Sequence, residues 1–320
     1  MLKSLDRLIE DVDQLPSLPP VLLRLTEAIR DPATSARQLA SIILQDPALT
    51  ARLLRLVNSA YYGFPRRIAT VTDALTLLGF RPVQHLLMTA AVVDLLHAEE
   101  SLEFSAVSLW QHAVGTAVAA GVLGRAVGYR EHEALFVAGL LHDVGKLVEC
   151  LCRRTEFLQA LALARAQDLP LHVAEEQVLG FSHAQAGRVL LEHWKLPTLL
   201  CEAVACHHQP DLAQHAQWEA AFIHVADGLA YGLGLGVGGQ ATVPPVEIAA
   251  WEWVGLPTAG LAPLLAEVET QHGEVLAVLV ETLRSFPGLD DRLSDATWSR
   301  GGLRPAPGHS DRCPRETSNR

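Results

Sequence analysis

Along the first hundred positions, apolar residues recur three and four apart, in short blocks separated by polar residues, glycine and proline. That spacing gathers them on one face of a helix; a strand would alternate them. Start and stop signals mark off the blocks. Ser35 with Gln38 has the form of a capping box, and Asp46 ahead of Pro47 supplies a cap and a first-turn proline. In the helix that follows, Leu49, Leu53, Leu56, Val57 and Ala60 make one apolar stripe, which Asn58 and the segment YYGFPRR bring to an end. The next helix, VTDALTLLG, stops at Gly79, and Pro82 opens another, PVQHLLMTAAVVDLL. From Phe104 the helices lengthen and fill with Ala, Leu and Val. Their predicted spans are 106–127, 132–143, 146–165, 171–178, 183–193, 197–207 and 216–231. Nothing reads as a strand, so the expected fold is all-α, a multi-helix bundle preceded by an N-terminal helical lobe. The expected divisions are a lobe over 1–104, a second lobe over 105–232, a Gly-rich loop with C-terminal helices over 233–286, and a polar, Pro/Gly-rich tail over 287–320 expected to be disordered. There is no internal repeat.

Composition narrows the function. With 49% hydrophobic and 19% charged residues in 320, the chain has the balance of a globular protein with a large core. A formal charge of −11 and the lack of a Lys/Arg cluster argue against duplex nucleic acid as a ligand. The start, MLKSLDRLIEDVDQLP, has no unbroken apolar region, and no stretch is long and apolar enough to span a bilayer, so a cytoplasmic protein without membrane contact is expected. The five cysteines, Cys150, Cys152, Cys201, Cys206 and Cys313, lack the spacing of a zinc knuckle and read as reduced thiols.

The sharpest chemical signal is LFVAGLLHDVGKLVE, where an apolar helix delivers His142 and Asp143 side by side. Adjacent helical residues point about 100° apart, so one metal takes both only where the helix ends, and Gly145 is expected to supply that ending. Imidazole and carboxylate together suit Fe, Mn, Zn or Mg. An isolated pair would more simply be a helix C-terminus with a surface Asp. This pair is not isolated: His112 lies in LWQHAVGTAVAAG, His207 and His208 close EAVACHHQP, and Asp227 lies in AAFIHVADGLAYG, where an unpaired carboxylate would be costly. One cation answers for all of them.

The order His112, His142-Asp143, a later His, then Asp227 resembles the HD superfamily of metal-dependent phosphohydrolases, whose fold is a helical bundle with the metal between helices. The N-terminal text from LPSLPPVLLRLTEAIRDPATSARQLASIILQDPALTARLLRLVNSAYYGFPRRIATVTDALTLLGF resembles the HDOD family, the HD-related output domain of bacterial signalling, and the likeness runs from about Leu15 to the region of Asp227. The resemblance implies an HD-type bundle with His112, His142, Asp143 and Asp227 on a first metal. A second would use His183, His207 and His208, with Asp143 bridging. His183 also reads as a first-turn residue behind a Ser182/Gln185 capping box, with no ligand role. Lys146 matches the lysine of the HD-x-G-K form and would meet a substrate phosphate; in a hydrolase Asp143 and Lys146 are the catalytic pair. After His208 the chain reads QPDLAQHAQ, without an Asp-Gly-x-Gly-Tyr-Pro segment, and Ser108 stands where three-metal members place a Glu. Both departures argue against cyclic di-GMP cleavage and a third metal.

Two functions follow from the same residues. One is a signalling module with a protein partner in its pathway, its one or two divalent ions structural or ligand-sensing. The other is a phosphohydrolase acting on a phosphate ester or nucleotide. Of the other histidines, His224 is expected to support the site from one turn before Asp227, and His85, His97, His132, His172, His193 and His215 read as surface or packing residues. Gly234, Gly236 and Gly239 satisfy G-x-G-x-x-G but follow a helix and run into Pro244-Pro245, so the segment reads as a flexible loop and not a nucleotide fingerprint. Trp251 and Trp253 could form a partner-binding patch, though packing is commoner.

Overall fold

In the computed structural model, the described residues are Leu5, Leu8 and 20–284, apart from 32, 60, 81–82, 85–86, 88–103, 240–242 and 257. The helix expected to open at Pro82 falls largely outside them, as do His85, His97, Cys313 and the tail over 287–320. Every regular element among the described residues is helical. The chain is all-α.

The N-terminal helices follow their punctuation. α1 (Pro20–Arg30), α2 (Ala36–Ile43), α3 (Pro47–Val57) and α4 (Val71–Leu78) come first. Ser35 and Gln38 close the capping box on α2, and Asp46 Oδ1 accepts the Leu49 N–H ahead of α3. α4 ends at Gly79 with φ 90 and ψ 175, a backbone that glycine tolerates and side chains resist. The loop after α3 is pinned by Asn58, whose side chain accepts from Ile68 N–H and donates to the carbonyls of Leu54 and Ile68.

The second set is α5 (Ala106–Ala126), α6 (His132–Leu141), α7 (Val144–Cys152), α8 (Arg154–Gln167), α9 (Leu171–Val178), α10 (His183–His193), α11 (Thr198–Ala205) and α12 (Gln217–Gly232). α13 (Ile248–Val254) and α14 (Leu261–Arg284) follow. α5 is the axis. Its Val114, Ala117, Val118, Ala119 and Ala120 are all 0% exposed, because α6, α12 and α14 pack around it. Small side chains let those neighbours approach closely, and a helix apolar on every side can only be an interior one. One difference from expectation is the span 146–165, which is broken at Arg153 (φ −141, ψ 43) into α7 and α8 without any Gly or Pro to announce it.

Buried apolar residues from Leu8 to Val275 form one cluster. α14 lies against both α5 and α3. Tyr61 sits 4.5 Å from the Phe136 ring, and the Arg125 guanidinium lies 4.7 Å over its face. Arg125 in turn reaches Gln271 on α14 at 2.9 Å. Burying a side chain such as Leu39 or Leu53 contributes about 1.5–3 kcal/mol, so this continuous packing supplies the rigid frame on which the polar centre depends. Trp251 and Trp253 are partly buried and packed against the core. Cys150 and Cys201 are buried, Cys152 and Cys206 half-buried, and none of the four is in a disulfide.

Candidate metal centre

The seven residues named from the sequence come together, although α5, the α6–α7 junction, α10, the end of α11 and α12 each supply only one or two. Three overlapping triads have their donor atoms within 4.8 Å of one another: His112, His142 and Asp227; His142, Asp143 and His207; and His183, His207 and His208. His112, His142, His183 and His207 are 0% exposed, and Asp143 and Asp227 are 2% and 4% exposed.

The junction of α6 and α7 explains how neighbours in sequence share one site. α6 ends at Leu141; His142 is still helical (φ −55, ψ −36), while Asp143 turns to φ −100, ψ 7 and starts α7. The turn is thus made at Asp143 itself. Gly145, expected to end the helix, instead lies inside α7. Its lack of a side chain serves packing: an added Cβ would sit 1.8 Å from His183 O and 2.6 Å from Gly187 N on α10. The close approach of α7 and α10 is what carries His183 to Asp143.

Hydrogen bonds to the backbone fix which imidazole nitrogen faces the centre. A carbonyl only accepts, so His142 Nδ1 donates to Gly139 O at 2.6 Å and His207 Nδ1 donates to Val204 O at 2.7 Å. Their Nε2 atoms are left facing the cluster, buried and without a hydrogen-bond partner. His183 Nδ1 is likewise held at 2.6 Å by Glu175 Oε2, and its Nε2 lies 3.2 Å from Asp143 Oδ1 and 2.9 Å from His208 Nε2. His112 Nε2 lies 2.8 Å from Asp227 Oδ1, and His142 Nε2 lies 3.3 Å from Asp143 Oδ2. Lys146 Nζ donates to Asp143 Oδ2 at 2.6 Å. His224 takes no part in the triads. Its Nδ1 donates to His207 O and its Nε2 accepts the Glu247 N–H, so it anchors the His207 backbone as a supporting residue.

Charge and protonation suit a cation. Burial pushes His112, His207 and His208 below the usual histidine range, which keeps them neutral. Burial opposes charge on His142 too, but Asp143 and Asp227 outweigh it and lift its pKa to about 10. Against their own burial, both aspartates are held well below the usual carboxylate range, Asp143 by His142 and Lys146 and Asp227 by His112 and His142. Burial opposes charge on His183 as well, but Glu175 and Asp143 outweigh it and raise its pKa, so without an ion His142, His183 and Lys146 supply the positive charge facing Asp143, Asp227 and Glu175, and a divalent ion would take the place of the imidazolium protons. The Nε2 atoms of His142, His183 and His207, gathered with the two aspartates, make a donor set that a divalent ion fits once it displaces those protons.

A family model described as the HDOD domain matches residues 15–210. The chain belongs to the HDOD family. A solved HDOD domain protein of unknown function from Geobacter sulfurreducens is 28% identical, with a TM-score of 0.70 over 88% of this chain and 97% of that one. Two further structures share the HDOD fold at lower identity. One is a candidate signal transduction protein from Marinobacter aquaeolei VT8 (22% identical, TM-score 0.68, 84% of this chain and 60% of that one). The other is a candidate metal-dependent phosphohydrolase from Shewanella amazonensis SB2B (20%, 0.61, 85% and 97%). An uncharacterized protein of Treponema pallidum (strain Nichols) is 29% identical over 198 residues, which are 62% of this chain but only 38% of that protein. The HDOD match stops before Asp227, so the place of that residue in the cluster rests on geometry.

Four neighbours of the centre were not singled out from the sequence. Glu175, which holds the His183 ring at Nδ1, and Glu149 are fully buried. His172, read as a surface or packing residue, stacks on His208 with ring centroids 4.1 Å apart, and burial lowers its pKa to about 4. The fourth is Gly238, in the glycine-rich loop. A Cβ there would lie 2.8 Å from Asp143 Oδ2 and 2.6 Å from Tyr231 Oη. The loop is tethered: Val237 N–H donates to Ser108 Oγ at 2.9 Å. It is a cover over the cluster, and the spacing of its glycines, uninformative about nucleotides, was the available signal for close backbone approach. No described helix is long and apolar enough to cross a membrane.

Proposed function

We propose that this HDOD protein is a bacterial signal-transduction module whose His/Asp cluster holds one or two divalent ions and whose output is binding of a protein or small ligand. The observation that supports it is the closure of the cluster. His112, His142, His183 and His207 are 0% exposed, and Gly238 lies against Asp143. Lys146, the group suited to meet a phosphate, is 1% exposed and committed to Asp143. A phosphate ester would have to displace the loop before touching any of them. A buried centre of this kind ties five segments of chain to one point, and an ion that binds only the folded chain adds about 2.7 kcal/mol of stability at a hundred times its dissociation constant.

His112, His142, Asp143 and Asp227 would hold a first ion, and His183, His207 and His208 a second, with Asp143 between them. Five imidazoles with two carboxylates favour Fe, Mn or Zn over Mg, which prefers oxygen alone. A bound ion supplies compensating charge and Lewis acidity toward a phosphoryl oxygen. The second reading, a phosphohydrolase on a phosphate ester or nucleotide, is favoured by the adjoining triads and by Lys146 beside them.

Elemental analysis of protein purified without chelator tests the shared premise. At least one transition metal per chain is expected, with marked loss in Asp143→Ala at unchanged helical content. A screen of phosphomonoesters, phosphodiesters and nucleotides with the Mn- or Fe-loaded protein then separates the readings. Absence of turnover supports the signalling module; hydrolysis abolished by Asp143→Ala replaces it with the enzyme.

A further inference from the structure

Within the triad of His183, His207 and His208, the His208 ring is anchored differently from its partners. His207 is tied by Nδ1 to the Val204 carbonyl and His183 by Nδ1 to Glu175, and each tie leaves Nε2 for the centre. The hydrogen bond of His208 runs instead through Nε2 itself, to His183 Nε2 at 2.9 Å. A nitrogen that gives its lone pair to an ion cannot keep that bond, so an ion taken by both rings removes the contact that orients His208. His208 is also half-buried, whereas His183 and His207 are 0% exposed. A ring with room to turn must be ordered when it binds, and that cost lowers affinity unless packing has ordered it beforehand.

The packing comes from His172. Its ring stacks on His208 with centroids 4.1 Å apart and planes 19° apart, while His183 meets His208 edge-on at 88° and His207 meets it at 45°. The same geometry excludes His172 as a ligand of that ion. An ion on His208 lies in the plane of that ring, and the lone pairs of a near-parallel ring run alongside the plane instead of converging on it. His172 accordingly belongs to none of the three triads. It lies on α9, three residues before Glu175, a spacing that sets both on one side of the helix. α9 thus gives no ligand to the triad but supports two of its rings, one by a carboxylate and one by a flat face.

We propose that His172 is a positioning residue for the second ion: its ring, stacked on His208, holds that ring with Nε2 turned to the ion shared with His183 and His207. The role needs an aromatic face and no nitrogen. For its effect on ion binding the proposal rests on the metal-site reading; its effect on the ring stands without an ion. The worth of an aromatic pair beyond its buried area corresponds to about a three- to tenfold change in affinity.

The test uses the full chain as wild type, His172→Phe and His172→Leu. In the ion-free protein, carbon-13 relaxation of the His208 ring should show it rigid in wild type and His172→Phe and mobile in His172→Leu, which fills the space without a ring face. Zn(II) titration should then find the second ion bound within about twofold of wild type by His172→Phe and about three- to tenfold more weakly by His172→Leu, with the first ion unchanged. A rigid His208 in His172→Leu overturns the proposal. So does His172→Phe binding as weakly as His172→Leu, because a nitrogen of His172 would then be what matters. Should His172→Leu fail to fold, His172→Ala replaces it with the same expected outcomes. A His208 ring rigid in wild type and His172→Phe but mobile in His172→Leu, in a wild type that takes up no Zn(II), supports the stack and refutes the metal reading.

Discussion

Replacing Gly145 by alanine tests how the centre is assembled, because two ordinary arguments give opposite signs. Gly145 lies within α7, where helix propensity alone predicts that alanine stabilises by about 1 kcal/mol. Packing predicts the reverse. The new Cβ would meet His183 O at 1.8 Å and Gly187 N at 2.6 Å, backbone atoms that cannot swing aside. Restoring an ordinary contact of about 3.5 Å requires α7 and α10 to part by roughly 1.5–2 Å. Overpacking of this kind costs about 1–3 kcal/mol, and the upper half applies where the neighbour is backbone. At about 2–4 °C per kcal/mol, Tm should fall by roughly 4–12 °C. His183 is the first residue of α10, so the same displacement widens its 3.2 Å approach to Asp143 and removes it from any ion that Asp143 holds. Gly187→Ala is the control, since its Cβ would meet Val204 Cγ1 at 3.1 Å and Gly145 N at 3.4 Å, contacts that small adjustments relieve. Thermal unfolding followed by circular dichroism, with Zn(II) stoichiometry measured on the same samples, gives both numbers. A Gly145→Ala protein as stable as wild type and carrying the same Zn(II) would refute the close approach of these helices as the cause of the site.

Three further outcomes are expected. Gly238→Ala, which brings a methyl within 2.8 Å of Asp143 Oδ2, should lower metal content while shifting Tm by less than Gly145→Ala does, read by elemental analysis beside a melt. Tyr61→Ala, which empties the space between Phe136 and Arg125, should cost about 3 kcal/mol in urea unfolding. Glu202 accepts the N–H groups of Gln214, His215 and Ala216 ahead of α12, and although burial opposes it these bonds hold its pKa below the usual range. A depressed carboxylate contributes stability that is present above its unfolded value of about 4.3 and is lost as pH falls through the folded one. Glu202→Gln should therefore destabilise at pH 7 and flatten that acid limb, as urea titrations across the limb would show.

What could be read from the sequence follows the range of the forces involved. Caps are local, so the Ser35/Gln38 box and the Asp46 cap stand where their residues place them. The break at Arg153 has no local signal, and a periodic pattern continued across it. Ligand candidates were readable for a different reason: His112 and Asp227 are polar residues in apolar helices, and such a residue must be compensated by something distant in the chain. That argument identifies who needs a partner, not who provides one. Glu175 escaped it because Glu176 and Gln177 beside it in LHVAEEQV give it the look of a solvated face, whereas Glu149, among the apolar residues of GKLVECLC, met the same criterion and was passed over. Gly145 and Gly238 show the same limit in steric form. A glycine in sequence announces either a turn or a close approach, and only the position of the other element, α10 for one and Asp143 for the other, decides which. Gly145 was expected to make the turn because His142 and Asp143 had to diverge from helical directions. Asp143 makes that turn with its own backbone, which leaves Gly145 free to let α10 in, so the residue that carries the ligand also sets the geometry that the ligand needs.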